Sequence, residues 1–177
     1  MRLLTCILIA LAFVAIYADE PEKLVNGTPT TIKEWPHAIS LRLNNQHSCG
    51  GSIISSKCIL TAAHCVEPFK STRGLTVVSG TTYLNSGGVH HEIAELKAHE
   101  GYGEDGSHDI GLIKLSQPIK FDENTQPIKL PTSDIEKGDG VTLVAWGSKG
   151  FLRPIHNDLQ KIEANCMPWD ECKRSIY

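Results

Sequence analysis

Short apolar segments, alternating in register and separated by turn residues, limit this chain more than any other feature. Ala38-Ile39-Ser40-Leu41-Arg42-Leu43 places Ile39, Leu41 and Leu43 on one face, at the two-residue period of a strand. Gly50–Ser55, Ile59–Ala62, Leu75–Val78, Ile93–His99 and Ile110–Leu115 read as further strands. Asn44-Asn45, Asn85-Ser86-Gly87-Gly88 and the stretch 101–106 supply the turns between them. A crossing segment, Pro118–Pro131, precedes a second set that begins at Val141–Gly147 and continues at Leu159–Ala164. No apolar stripe of useful length follows the helical period, beyond one turn at Ala62–Val66. Many short strands joined by turns predict an all-β barrel or sandwich rather than a parallel α/β sheet.

The first residues set the compartment. Arg2 is followed by an apolar run from Leu3 to Ile16 that ends at Ala18, the charge, apolar stretch and small residue of a secretory signal. The run falls short of the about 20 residues a membrane span needs. Residues 1–18 are therefore expected to be a signal peptide, with 19–23 a short polar spacer and the product secreted. Removal of Cys6 leaves Cys49, Cys58, Cys65, Cys166 and Cys172, an odd set that cannot all pair within one chain. The composition, 41% hydrophobic and 21% charged over 177 residues, suits one globular domain. A net charge of −3 suggests neither a nucleic-acid nor an anionic-membrane partner.

Two stretches carry chemistry. Leu60-Thr61-Ala62-Ala63-His64-Cys65 sets a histidine between small residues and a cysteine, at the end of an apolar run. An imidazole accepts and returns a proton near neutral pH. Downstream, His108-Asp109-Ile110-Gly111-Leu112-Ile113-Lys114-Leu115 opens a strand of buried character with an aspartate. A carboxylate entering a core requires a partner, and an imidazole N–H is a suitable one. Together with Cys49-Gly50-Gly51-Ser52-Ile53-Ile54 and Trp146-Gly147, these stretches resemble the motifs of the chymotrypsin/trypsin-like serine proteases, a resemblance that runs from Leu24 to Tyr177.

The resemblance implies a chymotrypsin-like double β-barrel within a domain spanning 24–177. The first barrel would be complete at about 24–120, and the second only begun at about 130–177. It implies His64 as general base and Asp109 as its orienting partner in acyl transfer on polypeptide substrates. It pairs Cys49 with Cys65, a bridge worth about 3 kcal/mol in the chain-entropy account. Cys172 matches half of another family bridge, Cys58 stands where relatives carry tryptophan, and Cys166 has no counterpart. Lys23 before Leu24-Val25-Asn26-Gly27 resembles the activation junction, cut by a trypsin-like protease to free a new N-terminus. Proteinaceous inhibitors are further partners the family implies, and no cofactor is expected.

The family's Gly-Asp-Ser-Gly-Gly nucleophile motif is absent from the sequence, and neither Ser148 nor Ser175 has flanking glycines. This chain alone is therefore expected to be inactive, its activity belonging to a longer form. The alternative is a secreted non-catalytic homologue acting as a binding or regulatory module. No metal site is expected. His90, His91 and Glu92 are strand neighbours that point to opposite faces, and calcium-binding relatives carry a glutamate where this chain has Thr81. Met167, Pro168 and Trp169 read as packing or loop cover.

Overall fold

The computed structural model describes residues 27–103, 107–147 and 155–175. The expected signal segment, the expected cleavage junction at Lys23–Leu24 and Ser148 lie outside them. Among the described residues nine strands follow in order: β1 Thr28–Pro29, β2 Ala38–Leu43, β3 Gln46–Ser55, β4 Cys58–Thr61, β5 Leu75–Ser79, β6 Val89–Ala98, β7 Gly111–Leu115, β8 Gly140–Ala145 and β9 Gln160–Asn165. Six of them close into an antiparallel barrel in the order β2-β3-β4-β7-β6-β5, with β2 pairing back onto β5. A three-stranded sheet, β1-β9-β8, begins the second barrel. The fold is thus nearly all-β, with one barrel complete and the other partial.

The β2–β3 hairpin shows local sequence acting directly. Asn44 and Asn45 take φ of 49° and 66°, the left-handed pair that a two-residue hairpin turn demands. Asparagine tolerates that region better than other side chains. Alternation then fills the barrel. Ile39, Leu41, Ile53, Ile59, Val77 and Ile113 have no exposed surface, and Val66, Ile93 and Leu115 pack with them. The outer face of β2 is covered as well. Ser40 and Arg42 are buried, with the Ser40 hydroxyl 2.8 Å from Nδ1 of His47 and Arg42 Nε donating to Ser40 at 3.3 Å. Burial, and then the charge of Arg42, lower the pKa of His47 to about 4.

A smaller core of Ile32, Ala38, Trp146 and Leu159 joins the barrel to the second sheet. Trp146 meets the His47 ring edge-on at 5.9 Å and donates its indole N–H to the Thr82 carbonyl at 2.9 Å. The crossing segment is strapped to the barrel by backbone bonds from Ile119 to Ser56 (2.7 Å), Gln126 to Pro36 (2.9 Å) and Ile128 to Ile53 (2.8 Å).

Sequence patterning missed the two-residue strand β1 and one helix. Trp169–Ser175 forms a short α-helix, so Trp169 opens a helix instead of belonging to a covering loop. Seven residues are too few to display a helical stripe. Asp170 and Glu171 in its first turn complement the N-terminal dipole.

Candidate active site

Asp109 sits two residues before β7, and His64 lies in a single 3-10 turn, Ala63–Cys65, directly after β4. Strands β4 and β7 are paired, Thr61 opposite Gly111, so the two ends emerge side by side. Gly111 makes the approach possible. A Cβ there would lie 2.8 Å from the Ala62 carbonyl oxygen and 2.8 Å from a Val66 methyl, so only a bare backbone lets the histidine turn rest on β7. Cys65 is bridged to Cys49 of β3, with Cα atoms 6.2 Å apart, which anchors the turn to the barrel wall.

Both carboxylate oxygens of Asp109 are used by the same residue. The backbone N–H of His64 donates to Oδ1 at 2.9 Å, and its ring Nδ1 donates to Oδ2 at 2.7 Å. An ionised carboxylate only accepts hydrogen bonds, so Nδ1 carries the proton and Nε2 presents a lone pair. The His64 backbone bond, followed by its ring bond, lowers the Asp109 pKa below the ordinary carboxylate range against a smaller opposing effect of desolvation. One oxygen fixes the turn and the other fixes the ring.

The carboxylate does not enter the core, as the sequence had suggested it would. The Asp109 side chain is 34% exposed and that of His64 58%. Asp109 precedes the buried part of β7, and its two bonds to His64 form at the barrel rim. The hydrogen-bonded pair is therefore open to water, and geometry rather than low dielectric holds it.

Among the described residues, Cys49, His64 and Cys65 bring three potential metal-ligand atoms together, but the two sulfurs are already joined to each other. His90 is exposed, whereas Nε2 of His91 lies 2.9 Å from the hydroxyl of buried Ser79. Cys58, Cys166 and Cys172 are free thiols, and burial raises the pKa of Cys58. Thr81 ties its own loop, its hydroxyl 2.7 Å from the Ser86 carbonyl and 3.0 Å from the Tyr83 amide.

Residues 24–177 match the family model described as Trypsin. The chain belongs to the chymotrypsin/trypsin-like serine protease family. Trypsin delta of Drosophila erecta is 36% identical over 157 residues, covering 88% of this chain and 62% of that protein. Trypsin alpha of Drosophila melanogaster is likewise 36% identical over 157 residues, with 88% and 61% covered. Trypsin alpha-4 of Lucilia cuprina is 36% identical over 156 residues, with the same coverage. The chain thus spans a little under two thirds of the length of these trypsin relatives, 61% to 62%. A solved structure of neuropsin, a serine protease expressed in the limbic system of mouse brain, superposes with a TM-score of 0.75 at 23% identity. The match covers 84% of this chain and 67% of that one, and it shows the shared fold.

Sequence reasoning within this trypsin-family chain overlooked the neighbours of Asp109. His108 precedes it at a φ of 54°, unusual for a non-glycine residue, and its ring stacks on His99. The available signal was an imidazole directly beside the candidate carboxylate.

Proposed function

We propose that this chain is the His- and Asp-bearing part of a secreted serine endopeptidase, which in its full-length form cleaves polypeptide substrates by acyl transfer. The observation that carries this reading is the pair of hydrogen bonds that His64 donates to Asp109, from its amide and its ring together. His64 acts as general base through Nε2, taking the proton of a serine hydroxyl and returning it to the leaving amine. Asp109 fixes the tautomer and stabilises the imidazolium as it forms.

The sequence holds no Gly-Asp-Ser-Gly-Gly, so the nucleophile and oxyanion hole belong to the longer form and these 177 residues alone leave peptides uncut. Residues 1–18 act as signal peptide and 19–23 as propeptide, and a trypsin-like protease cuts between Lys23 and Leu24. Proteinaceous inhibitors are further partners. Absence of the nucleophile motif also favours a second reading, a secreted non-catalytic homologue that binds or regulates.

A fluorophosphonate probe tests the first reading. The full-length product should be labelled once, and His64→Ala should abolish the labelling. Asp109→Asn should lower peptidase activity by about 10⁴-fold, the loss that follows when a triad aspartate becomes asparagine. Peptide hydrolysis by the 177 residues alone, persisting in His64→Ala, would overturn the assignment. A secreted full-length product inert to the probe would favour the second reading.

A further inference from the structure

Residues 80–88 carry the chain from β5 to β6, and the start of this loop reaches well beyond the barrel. The Thr82 carbonyl accepts both the Leu159 amide and the Trp146 indole N–H, each at 2.9 Å. The Thr82 hydroxyl accepts the Ile32 amide at 3.1 Å. The Leu84 amide donates to the Asn157 carbonyl at 2.8 Å, and the Asn85 amide to Asn157 Oδ1 at 3.0 Å. Segments at Ile32, at Trp146 and at 157–159 thus hang on one loop. Ile32, Trp146 and Leu159 are also the residues whose core joins the second sheet to the barrel.

Next to Thr82, the hydroxyl of Thr81 is buried inside the loop, its residue only 6% exposed. The oxygen accepts the Tyr83 amide at 3.0 Å, and its single proton is offered to the carbonyls of Ser86 at 2.7 Å and Tyr83 at 2.9 Å. The returning leg of the loop rests on the same side chain. A Cβ at Gly88, where φ is 82°, would lie 3.0 Å from the Thr81 methyl and 2.6 Å from a Val78 methyl. Calcium-binding relatives have a glutamate at the position of Thr81, and the donors present here do not fit that ion. Calcium takes about six to eight oxygens, carboxylates among them. Residues 68–91 include no aspartate or glutamate. Asp158, bridged to Tyr83 through the backbone, has its Oδ2 accepting the Gln160 side-chain amide at 2.5 Å.

We propose that Thr81 is a metal-free staple, a hydroxyl that cross-links the loop where those relatives use a cation, and that it thereby holds Thr82 in place to fasten the second sheet to the barrel. A cation gathers a loop by drawing several oxygens to one centre. The hydroxyl gathers it by accepting one backbone N–H and donating to a backbone carbonyl. Burial shields these bonds from competing water, and their removal would leave the Tyr83 amide without its acceptor. The fastening needs neither calcium nor catalysis, so it stands or falls apart from the reading of His64 and Asp109.

Urea unfolding and hydrogen exchange of the full chain test the staple. The wild-type unfolding midpoint should be the same in millimolar calcium and in EDTA. Thr81→Val keeps the side chain's shape and removes the hydroxyl. Exchange at the Tyr83 amide, the Leu159 amide and the Trp146 indole should then quicken about tenfold, with the Ile113 amide in the barrel unchanged. Thr81→Ser, which retains the oxygen, should return all three sites close to their wild-type rates. A wild-type midpoint that rises with calcium would overturn the proposal. So would a folded Thr81→Val that exchanges at wild-type rates, or one that quickens at Tyr83 while Leu159 and Trp146 stay slow. Should Thr81→Val fail to fold, Thr81→Ser still decides. Slow exchange there supports the hydroxyl, and fast exchange assigns the loop to packing of the lost methyl and overturns the staple.

Discussion

The closed barrel and the three-stranded sheet are made of similar residues and face water very differently. In the barrel, β2 pairs back onto β5 and Ile39, Leu41, Ile53, Ile59 and Ile113 are wholly buried. In the sheet, β8 is an end strand, with Val141 37% and Leu143 59% exposed. Alternation is present in both, yet it buries side chains only where the sheet curls round to supply a second wall. Closure also leaves the barrel no unpaired edge. Stability and the site geometry therefore reside in the barrel, and the sheet is attached to it through Trp146, Leu159 and their neighbours.

The largest expected contrast lies in side-chain truncation. Ile113→Ala should destabilise the chain by about 2–5 kcal/mol, the range for deleting a buried branched side chain. Leu143→Ala should remain within about 0.5 kcal/mol, as exposed positions do. Urea unfolding followed by circular dichroism measures both, and equal losses would break the contrast. Replacing Cys49 and Cys65 together by alanine should remove about 2–4 kcal/mol. The same change should broaden the imidazole signals of His64, since the bridge holds its turn.

Gly111→Ala sharpens the comparison at the rim. The added methyl meets backbone at 2.8 Å, so about 1–3 kcal/mol should be lost, with the histidine turn displaced. A substitution of the same size at Gly140 in the sheet, where a Cβ meets nothing within 4 Å, should have little effect. A further expectation concerns pH. The folded pKa of His47 is about 4 against an ordinary 6.5, so between these values the unfolded chain binds the extra proton. The stability linked to neutral His47 is full above about 6.5 and drains away as pH falls towards 4. His47→Gln should flatten that limb in unfolding measurements made across the interval, since the replacement cannot take up a proton there.

Most of the barrel was legible because strand alternation and turn chemistry are local. Ile39, Leu41 and Leu43 announce β2, and Asn44-Asn45 its hairpin. Less legible was the outer face of that strand, where Ser40 and Arg42 are covered by His47 and the elements around it. The residue pattern marks such positions as exposed, and only a covering partner from elsewhere makes them interior. The helix at Trp169–Ser175 was illegible for the opposite reason, being too brief for periodicity to register. At the site, both chemistry-bearing residues could be named from their motifs, but the expected burial of Asp109 could not be judged from a strand pattern. Its exposure depends on where the rim falls.

The order of strands and turns, the identity of the family and the residue types available for proton transfer were all determined by sequence alone. Each depends on neighbours within a few positions or on a motif read along the chain. Tertiary structure decided that one aspartate would hold both the amide and the ring of one histidine, that Gly111 would leave room for that meeting, and that two further imidazoles would stack beside it. The first two of these contacts join residues tens of positions apart, and their distances are fixed by barrel closure and strand register, which no local period encodes.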